Sequence, residues 1–560
     1  MIRIIRPLTV ICLIVMLLPV GVLWSHTSQD GAVLGRYSLS YFLVLLLYLA
    51  LLGGMCATLF LPEQFWRKIQ AYLRGILGES SLAVAWWVIF GIAFAGLVVL
   101  LGRLSSWGPG RTLAVNCAFI SFTLWILGIL AVLTGSNRLL ATLGNLLLLS
   151  VSIGIAFVLV EFFLRARPGF IPEPVMQWLP GGGRYLHTAD YVLDKPVRMG
   201  YRFAPLQDRW VSFDPYAPGV GEVGGTTGPY GEGKTEPIQL HFVTDENGFL
   251  NNPPVNGKPY DIVIVGDSFL GLTAEVHWID LLSQLSGKKV LSLGNSGWGG
   301  QAEVEALKQF GVDKGAKWVV MAYFEGNDLW DAQRYEEKAA SGLDWIEHDL
   351  ENATIWQTLV TPQFLRYMAL KAKNAISPPD YLYPLELQIN DRTLKLELTE
   401  QYVGVASATT DLIEPSRNLA LTKRAILEAR QAALDSGARF VLLYIPSEPH
   451  VYIPFLQDPA LLERVALTSP AIDLNEAGYL RFAARPVDPK TLRLHLDDQM
   501  QAVESFARQE GIEFLNLTPR FSEEAGKGVE LYNYADTHWN AAGHTLAAQV
   551  LADYILNNNP

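Results

Sequence analysis

Hydrophobic positions along the chain follow two different patterns. Up to Phe163 they form long unbroken runs: Leu8–Trp24, Tyr41–Leu61, Leu82–Leu101, Leu113–Thr134 and Leu139–Phe163. Each is about as long as a helix needs to cross a bilayer, roughly 17–25 residues. Trp24, Tyr41, Trp86, Trp87 and Phe163 lie near the run ends, where interfacial aromatics sit. The pattern predicts an α-helical membrane region over residues 1–164 with about five transmembrane helices. Arg3, Arg6, Arg67, Lys68, Arg74 and Arg138 then mark the cytoplasmic loops, against Arg36, Arg103 and Arg111 outside. This orientation implies a multi-pass inner-membrane protein embedded in a lipid bilayer, with everything after about Arg165 on the extracytoplasmic, periplasmic side. Reading the first run as a cleaved signal peptide leaves the remainder on that same side. Glu161 and Arg165, four residues apart at the end of the last run, are expected to pair.

Beyond Arg165 the runs shorten and alternate with polar turns. Residues 165–259 are rich in glycine, proline and aromatics, with Gly181-Gly-Gly183 and Pro218–Pro237 as loops and Leu240–Thr244 as a strand. They form a linker or accessory region containing β-structure. From Tyr260 the pattern becomes strand, turn, helix. Ile262–Val265 is a continuous β-branched run of the kind found in buried parallel strands. It is followed by helix Trp278–Leu285, strand Lys289–Leu293, helix Ala302–Phe310 and strand Lys317–Phe324. The regularity breaks over 329–415, which contains Pro378-Pro379 and reads as an insertion. Helix Leu419–Ser436, strand Ala438–Ile445, helix His495–Gln509, strand Ile512–Leu517 and helix Thr545–Leu556 complete an α/β domain at 260–560, with a parallel sheet between helices.

Composition narrows the chemistry. All three cysteines, Cys12, Cys56 and Cys117, fall in the apolar runs, so the later region has no cysteine nucleophile, disulfide or thiolate metal site. A net charge of −12 provides no basic footprint for nucleic acid.

Four polar motifs fall at strand ends or helix starts: Gly266-Asp-Ser268, Gly294-Asn-Ser-Gly297, Gly326-Asn-Asp328 and Asp536-Thr-His538. A serine hydroxyl becomes a nucleophile when an imidazole takes its proton and a carboxylate holds the imidazole. The oxyanion that follows needs preorganised N–H donors. Each motif also has a plainer reading, with Ser268 or Asn327 as helix caps and Gly297 as a turn residue. His277 is a rival base, and His538, His544 and Asp536 could be grouped as metal ligands, although the set lacks a fourth partner.

In order and content these blocks resemble the SGNH hydrolase superfamily, the GDSL-type esterases, over roughly Tyr260 to Leu556. The resemblance implies a flavodoxin-like fold, Ser268 as nucleophile, His538 as general base and Asp536 as the orienting acid. It also implies an oxyanion hole of the Ser268 and Gly297 N–H groups with the Asn327 amide, and no metal or cofactor. Three departures stand out. Phe269 replaces the usual leucine, Glu325 occupies a usual glycine position, and Asp536 precedes His538 by two residues where the family usually has three, with Ala535 at the usual acid position. The shorter Asp-x-His-Trp form is similar to that of the alginate O-acetylation proteins, a membrane-anchored polysaccharide O-acetyltransferase-like branch. It implies a serine esterase or O-acyltransferase, acetyl in type, acting on an extracytoplasmic acylated glycan. A transferase would need a separate membrane protein to supply the acyl donor. A catalytically inactive glycan-binding module is the alternative.

Overall fold

The computed structural model describes residues 39–72, 154–195, 197–213, 238–251, 259–376, 385–534 and 536–558, with isolated positions nearer the N-terminus. It forms two compact units, one of residues 1–171 with 353–365 and the other of 172–352 with 366–560.

In the first unit the structure corrects the sequence-based expectation. Among the described residues no helix is long and apolar enough to cross a membrane. The predicted five transmembrane helices and the multi-pass inner-membrane location are therefore not supported. A crossing needs about 20 consecutive apolar residues in one helix. Of helix Leu39–Phe60, the stretch with continuously described side chains is 52–60, which includes Gly53, Gly54 and Thr58. Of the last run, the described helical segment 154–166 carries Glu161 and Arg165. Runs Leu82–Leu101 and Leu113–Thr134, and most of Leu8–Trp24 and Leu139–Phe163, lie outside the described residues. The expected Glu161–Arg165 pair forms at 2.6 Å. The Glu161 carboxylate also accepts the backbone N–H groups of Val360 at 3.1 Å and Thr361 at 2.8 Å, so this acid serves as a helix-end acceptor.

The second unit is built on five parallel strands: β1 (Ile262–Gly266), β2 (Val290–Gly294), β3 (Trp318–Phe324), β4 (Arg439–Ile445) and β5 (Glu513–Asn516). Helices α1 (Trp278–Ser286), α2 (Gly300–Ala306), α3 (Asp328–Ser341), α4 (Arg417–Asp435), α5 (Asp498–Gln509) and α6 (Ala541–Asn557) surround them. The spatial order is β5-β4-β3-β1-β2, with Ile262 opposite Trp318 on one side and Val290 on the other. This is the flavodoxin-like order, whose chain direction reverses between β1 and β3.

Alternation along the strands builds two cores. Ile262, Ile264, Val320, Ala322, Val441 and Leu443 face α1 and α6, while Val263, Val265, Val319, Met321, Leu442 and Tyr444 face α2, α4 and α5. Both faces are covered, which is why these strands read as continuous apolar runs. Within 329–415, hairpin Leu385–Ile389/Arg392–Leu396 inserts Leu385, Leu387, Ile389, Leu394 and Leu396 into the first of these cores. The 165–259 region supplies hairpins Tyr191–Leu193/Tyr201–Phe203 and Asp208–Phe213/Ile238–Val243. Pro218–Pro237 and Pro378-Pro379 lie outside the described residues. Two strand pairs had no counterpart in the sequence reading: Pro470–Leu474 with Leu480–Pro486, and Tyr532–Asn533 with Asp536–Trp539.

Candidate active site

Strand β1 ends beside β2 and β3 at the reversal point, where open α/β sheets place their sites. Its last residue, Gly266, pairs with Gly294, and a Cβ added at Gly294 would meet the Gly266 carbonyl oxygen at 2.8 Å. The close strand ends thus exclude side chains there. Asp267 follows and caps the short 3-10 turn Ser268–Leu270, its Oδ1 accepting the Phe269 N–H at 3.0 Å. This turn aims Ser268 at a histidine from the far end of the chain: Ser268 Oγ lies 2.7 Å from His538 Nε2.

The imidazole comes from strand Asp536–Trp539, in which residues two apart share a face. Asp536 Oδ1 accepts the backbone N–H of His538 at 2.9 Å and also holds its Nδ1. With Nδ1–H donating to the carboxylate, Nε2 is left to accept from the serine hydroxyl. Burial acts to raise the Asp536 pKa, but the His538 charge and N–H groups outweigh it and hold the carboxyl below its ordinary value. Burial likewise acts to lower the His538 pKa, and Asp536 outweighs it, so the imidazole titrates above its usual range. Phe269 packs against the His538 ring, with centroids 5.0 Å apart.

The other predicted donors lie on neighbouring strand ends. Gly297 follows β2 with φ +72°. The Tyr201 hydroxyl donates to the Ser296 carbonyl, and the Tyr201 carbonyl accepts from Asn295 Nδ2 at 3.2 Å and Trp298 Nε1 at 3.1 Å. Arg334 Nη2 donates to the Gly297 carbonyl at 3.1 Å. Asn327 follows β3 and directs its amide to Asp267, while its Oδ1 is buried without a partner among the described residues. Ser268 Oγ also lies 3.4 Å from Asp267 Oδ2. An asparagine amide has two N–H donors, so one bond to Asp267 fixes the group and leaves the second available. Burial pushes the Asp267 carboxyl up, and these donors and the His538 charge oppose that shift.

His277 is not in contact with the serine. Its Nε2 donates to the Leu270 carbonyl at 3.2 Å, and burial pulls its pKa down to about 4. His544 bridges two helices, its Nδ1 accepting the Trp278 N–H at 3.3 Å and its Nε2 meeting Thr273 Oγ1 at 2.9 Å. Both ring nitrogens are therefore engaged, and among the described residues no cluster is arranged to hold a metal ion.

Glu325, at the unusual position in the third block, turns away from Ser268 toward the end of β4. Its carboxylate accepts from the Ser447 N–H at 2.8 Å, Ser447 Oγ and Tyr444 Oη at 2.5 Å each, and His450 Nδ1 at 2.8 Å. His450 Nε2 lies 3.0 Å from Asp497. Sequence reasoning missed this network, together with Asp267, Tyr201 and a buried glutamate, Glu303. Asp267 was readable from the nucleophile motif; Tyr201 and His450 gave no signal, because their partners are far along the chain.

Ser268, His538 and Asp536 thus meet at the reversal point of a flavodoxin-like sheet. Residues 482–560 match the family model ALGX, described as the SGNH hydrolase-like domain of the acetyltransferase AlgX. The matched part holds Asp536 and His538 and stops short of Ser268. No curated protein matches the chain. Among solved structures, the chain is similar to the acetylxylan esterase Axe2 from Geobacillus stearothermophilus, at 13% identity over 53% of this chain and 95% of that one, TM-score 0.25. A Bacillus subtilis protein matches at 13% identity over 58% and 70%, TM-score 0.26. One from Lactobacillus plantarum matches at 12% over 55% and 100%, TM-score 0.27.

Proposed function

We propose that the protein is a serine acyl esterase or O-acyltransferase that moves an acetyl group on a glycan through an acyl-Ser268 intermediate. The observation that carries this reading is the 2.7 Å approach of Ser268 Oγ to a His538 ring whose other nitrogen is held by Asp536. In this mechanism His538 Nε2 takes the Ser268 proton as Oγ attacks the ester carbonyl carbon. The resulting imidazolium is stabilised by Asp536, and the oxyanion is received by the N–H groups of Ser268 and Gly297 and the Asn327 amide. Collapse expels the sugar oxygen, which takes the proton from His538, and leaves acyl-Ser268. Water then releases acetate, or a second sugar hydroxyl accepts the acyl group. The acetyl assignment draws support from the acetyltransferase family model at 482–560, and the glycan from the resemblance to the O-acetylating branch.

Intact-mass analysis of the full-length protein after a fluorophosphonate probe, beside Ser268→Ala, is the test. One adduct on the parent and none on the variant is expected. A folded parent that takes no adduct would sink the enzymatic reading and favour the glycan-binding module, which the hold of Asp267 on the Asn327 amide also fits. Acetate released, against acetyl transferred to added oligosaccharide, then separates esterase from transferase.

A further inference from the structure

Behind the nucleophile turn lies a cluster of acids that the reaction above does not use. Glu303 of α2 has no exposed surface, and neither of its carboxyl oxygens has a hydrogen-bond partner among the described residues. Helix α2 packs on β1, β2, α3 and α4, and the charges that act on Glu303 from them are those of acids. They are Asp267 from the end of β1 and Asp331 from α3, and Asp328 of α3 feels the charges of Asp267, Glu303 and Asp331 in turn. Helix α4 offers Ala425, close to the Gly300 backbone. The nearest cations serve other partners. Arg334 pairs with Asp331 Oδ1 at 2.6 Å, Lys338 pairs with Asp349 at 2.6 Å, and no ion pair reaches Glu303 among the described residues.

Asp328 Oδ1 and Asp331 Oδ2 are also buried acceptors without donors. An unpaired ionised carboxylate in such a place is among the costliest groups a protein can bury. Placing a proton on Glu303 removes that charge and supplies a donor where the neighbouring oxygens lack one.

We propose that Glu303 is a proton-bearing positioning residue for the chemistry at Ser268. Its neutral carboxyl donates into the Asp328–Asp331 oxygens and leaves the cluster's negative charge on Asp267, which holds the Ser268 turn and the Asn327 amide. Burial and the neighbouring acids push the Glu303 carboxyl well above its ordinary range, in the same direction. When Glu303 ionises, a new charge beside Asp267 and Asp331 disturbs that arrangement, so the reaction slows on the alkaline side.

This inference rests on the acyl-transfer reading, and the test separates the two. The infrared spectrum of the full-length protein at neutral pH should show the carbonyl band of an un-ionised carboxylic acid that Glu303→Gln lacks. The fluorophosphonate labelling rate of the parent should fall along an alkaline limb that Glu303→Gln, which cannot ionise, does not show. Absence of the band, or the same alkaline limb in both proteins, overturns the proposal. If Glu303→Gln does not fold, Asp331→Asn decides the matter. Removing one charge that keeps the proton on Glu303 shifts both the loss of the band and the limb to lower pH, and a limb that stays in place overturns the proposal. A parent that shows the band but never labels would defeat the acyl-transfer reading and leave the proton on Glu303 established.

Discussion

Asp536→Asn exchanges one oxygen for an NH2 of nearly the same shape, so packing at this buried position is kept while the charge is lost. The structure gives the amide two orientations with different consequences. Asp536 Oδ1 serves both the backbone N–H of His538 and its Nδ1. If the asparagine oxygen stays there, both bonds survive and the imidazole keeps Nε2 free for Ser268, but a charge-assisted bond becomes a neutral one. Hydrogen bonds to charged groups contribute about 1.5–3 kcal/mol and neutral ones about 0.5–1.5 kcal/mol, so this orientation loses the difference of about 1–1.5 kcal/mol and predicts a rate loss of roughly 5- to 13-fold. If the amide flips, its NH2 faces two donors and drives the ring proton to Nε2, where it blocks the serine. Replacing the acid of such a triad in that way costs about 10⁴-fold in kcat. The backbone N–H at 2.9 Å favours the first orientation, so we expect a loss near tenfold.

The pH profile provides an independent check. Burial acts to lower the His538 pKa and Asp536 to raise it, with a net rise. Without the carboxylate only the lowering influence of burial remains, so the acid limb of kcat/KM moves to lower pH even as the plateau falls. The assay is hydrolysis of p-nitrophenyl acetate by the full-length protein across the acid-to-neutral range. An acid limb that does not move, with a plateau loss under about twofold, would refute the orienting role of Asp536.

Other perturbations follow from neighbouring groups. His450 is buried, which pulls its pKa down, but Glu325 and Asp497 outweigh burial and push it up to about 10. Its contribution to stability is therefore fully present below about 6.5, the ordinary imidazole value, and is lost as pH rises through about 10. The melting temperature of His450→Gln should trail the parent most in the acid-to-neutral range, with the gap narrowing toward that upper value; a gap constant across pH would contradict this. Gly297→Ala places a Cβ at φ +72° and 2.9 Å from Arg334 Nη2. It should destabilise by about 1–2 kcal/mol and lower kcat more than it raises KM, while an unaffected kcat would remove Gly297 from the oxyanion site. His277→Gln should leave the acid limb of the pH–rate profile in place, since that ring already titrates near 4, and a shifted limb would reinstate it as a base.

The sheet was readable because buried parallel strands are apolar throughout and end at polar turns, as Ile262–Gly266 and Trp318–Phe324 do. Strand order was not readable, since nothing local in β2 shows that it lies outside β1. The long apolar runs misled for a related reason. Hydropathy counts consecutive side chains, whereas a crossing requires one helix both long and apolar enough, which the described residues do not contain. Glu303 and Glu305 look alike in the sequence, yet α2 buries the first and leaves the second partly exposed to meet Lys308. Telling them apart needs the phase of a helix only seven residues long. His450 gave no signal because Glu325 lies 125 residues away.

The two-residue spacing of Asp536 and His538 follows from the local backbone. In a strand, side chains at i and i+2 share a face and lie within reach of each other, and Asp536–Trp539 is a strand. That geometry lets one carboxylate oxygen take both the backbone N–H and the ring Nδ1 of the same histidine. The backbone bond fixes the carboxylate before the imidazole is considered, so the acid is oriented by the strand that also carries the base. Asn533 Nδ2 donates to the Trp539 carbonyl at 3.1 Å, and Asn540 caps α6 through the Ala542 and Gly543 N–H groups. The strand is thereby anchored on both sides of His538. The short spacing thus concentrates the base, its orienting acid and their support in about ten consecutive residues. Only the approach to Ser268 is left to be set by the tertiary fold.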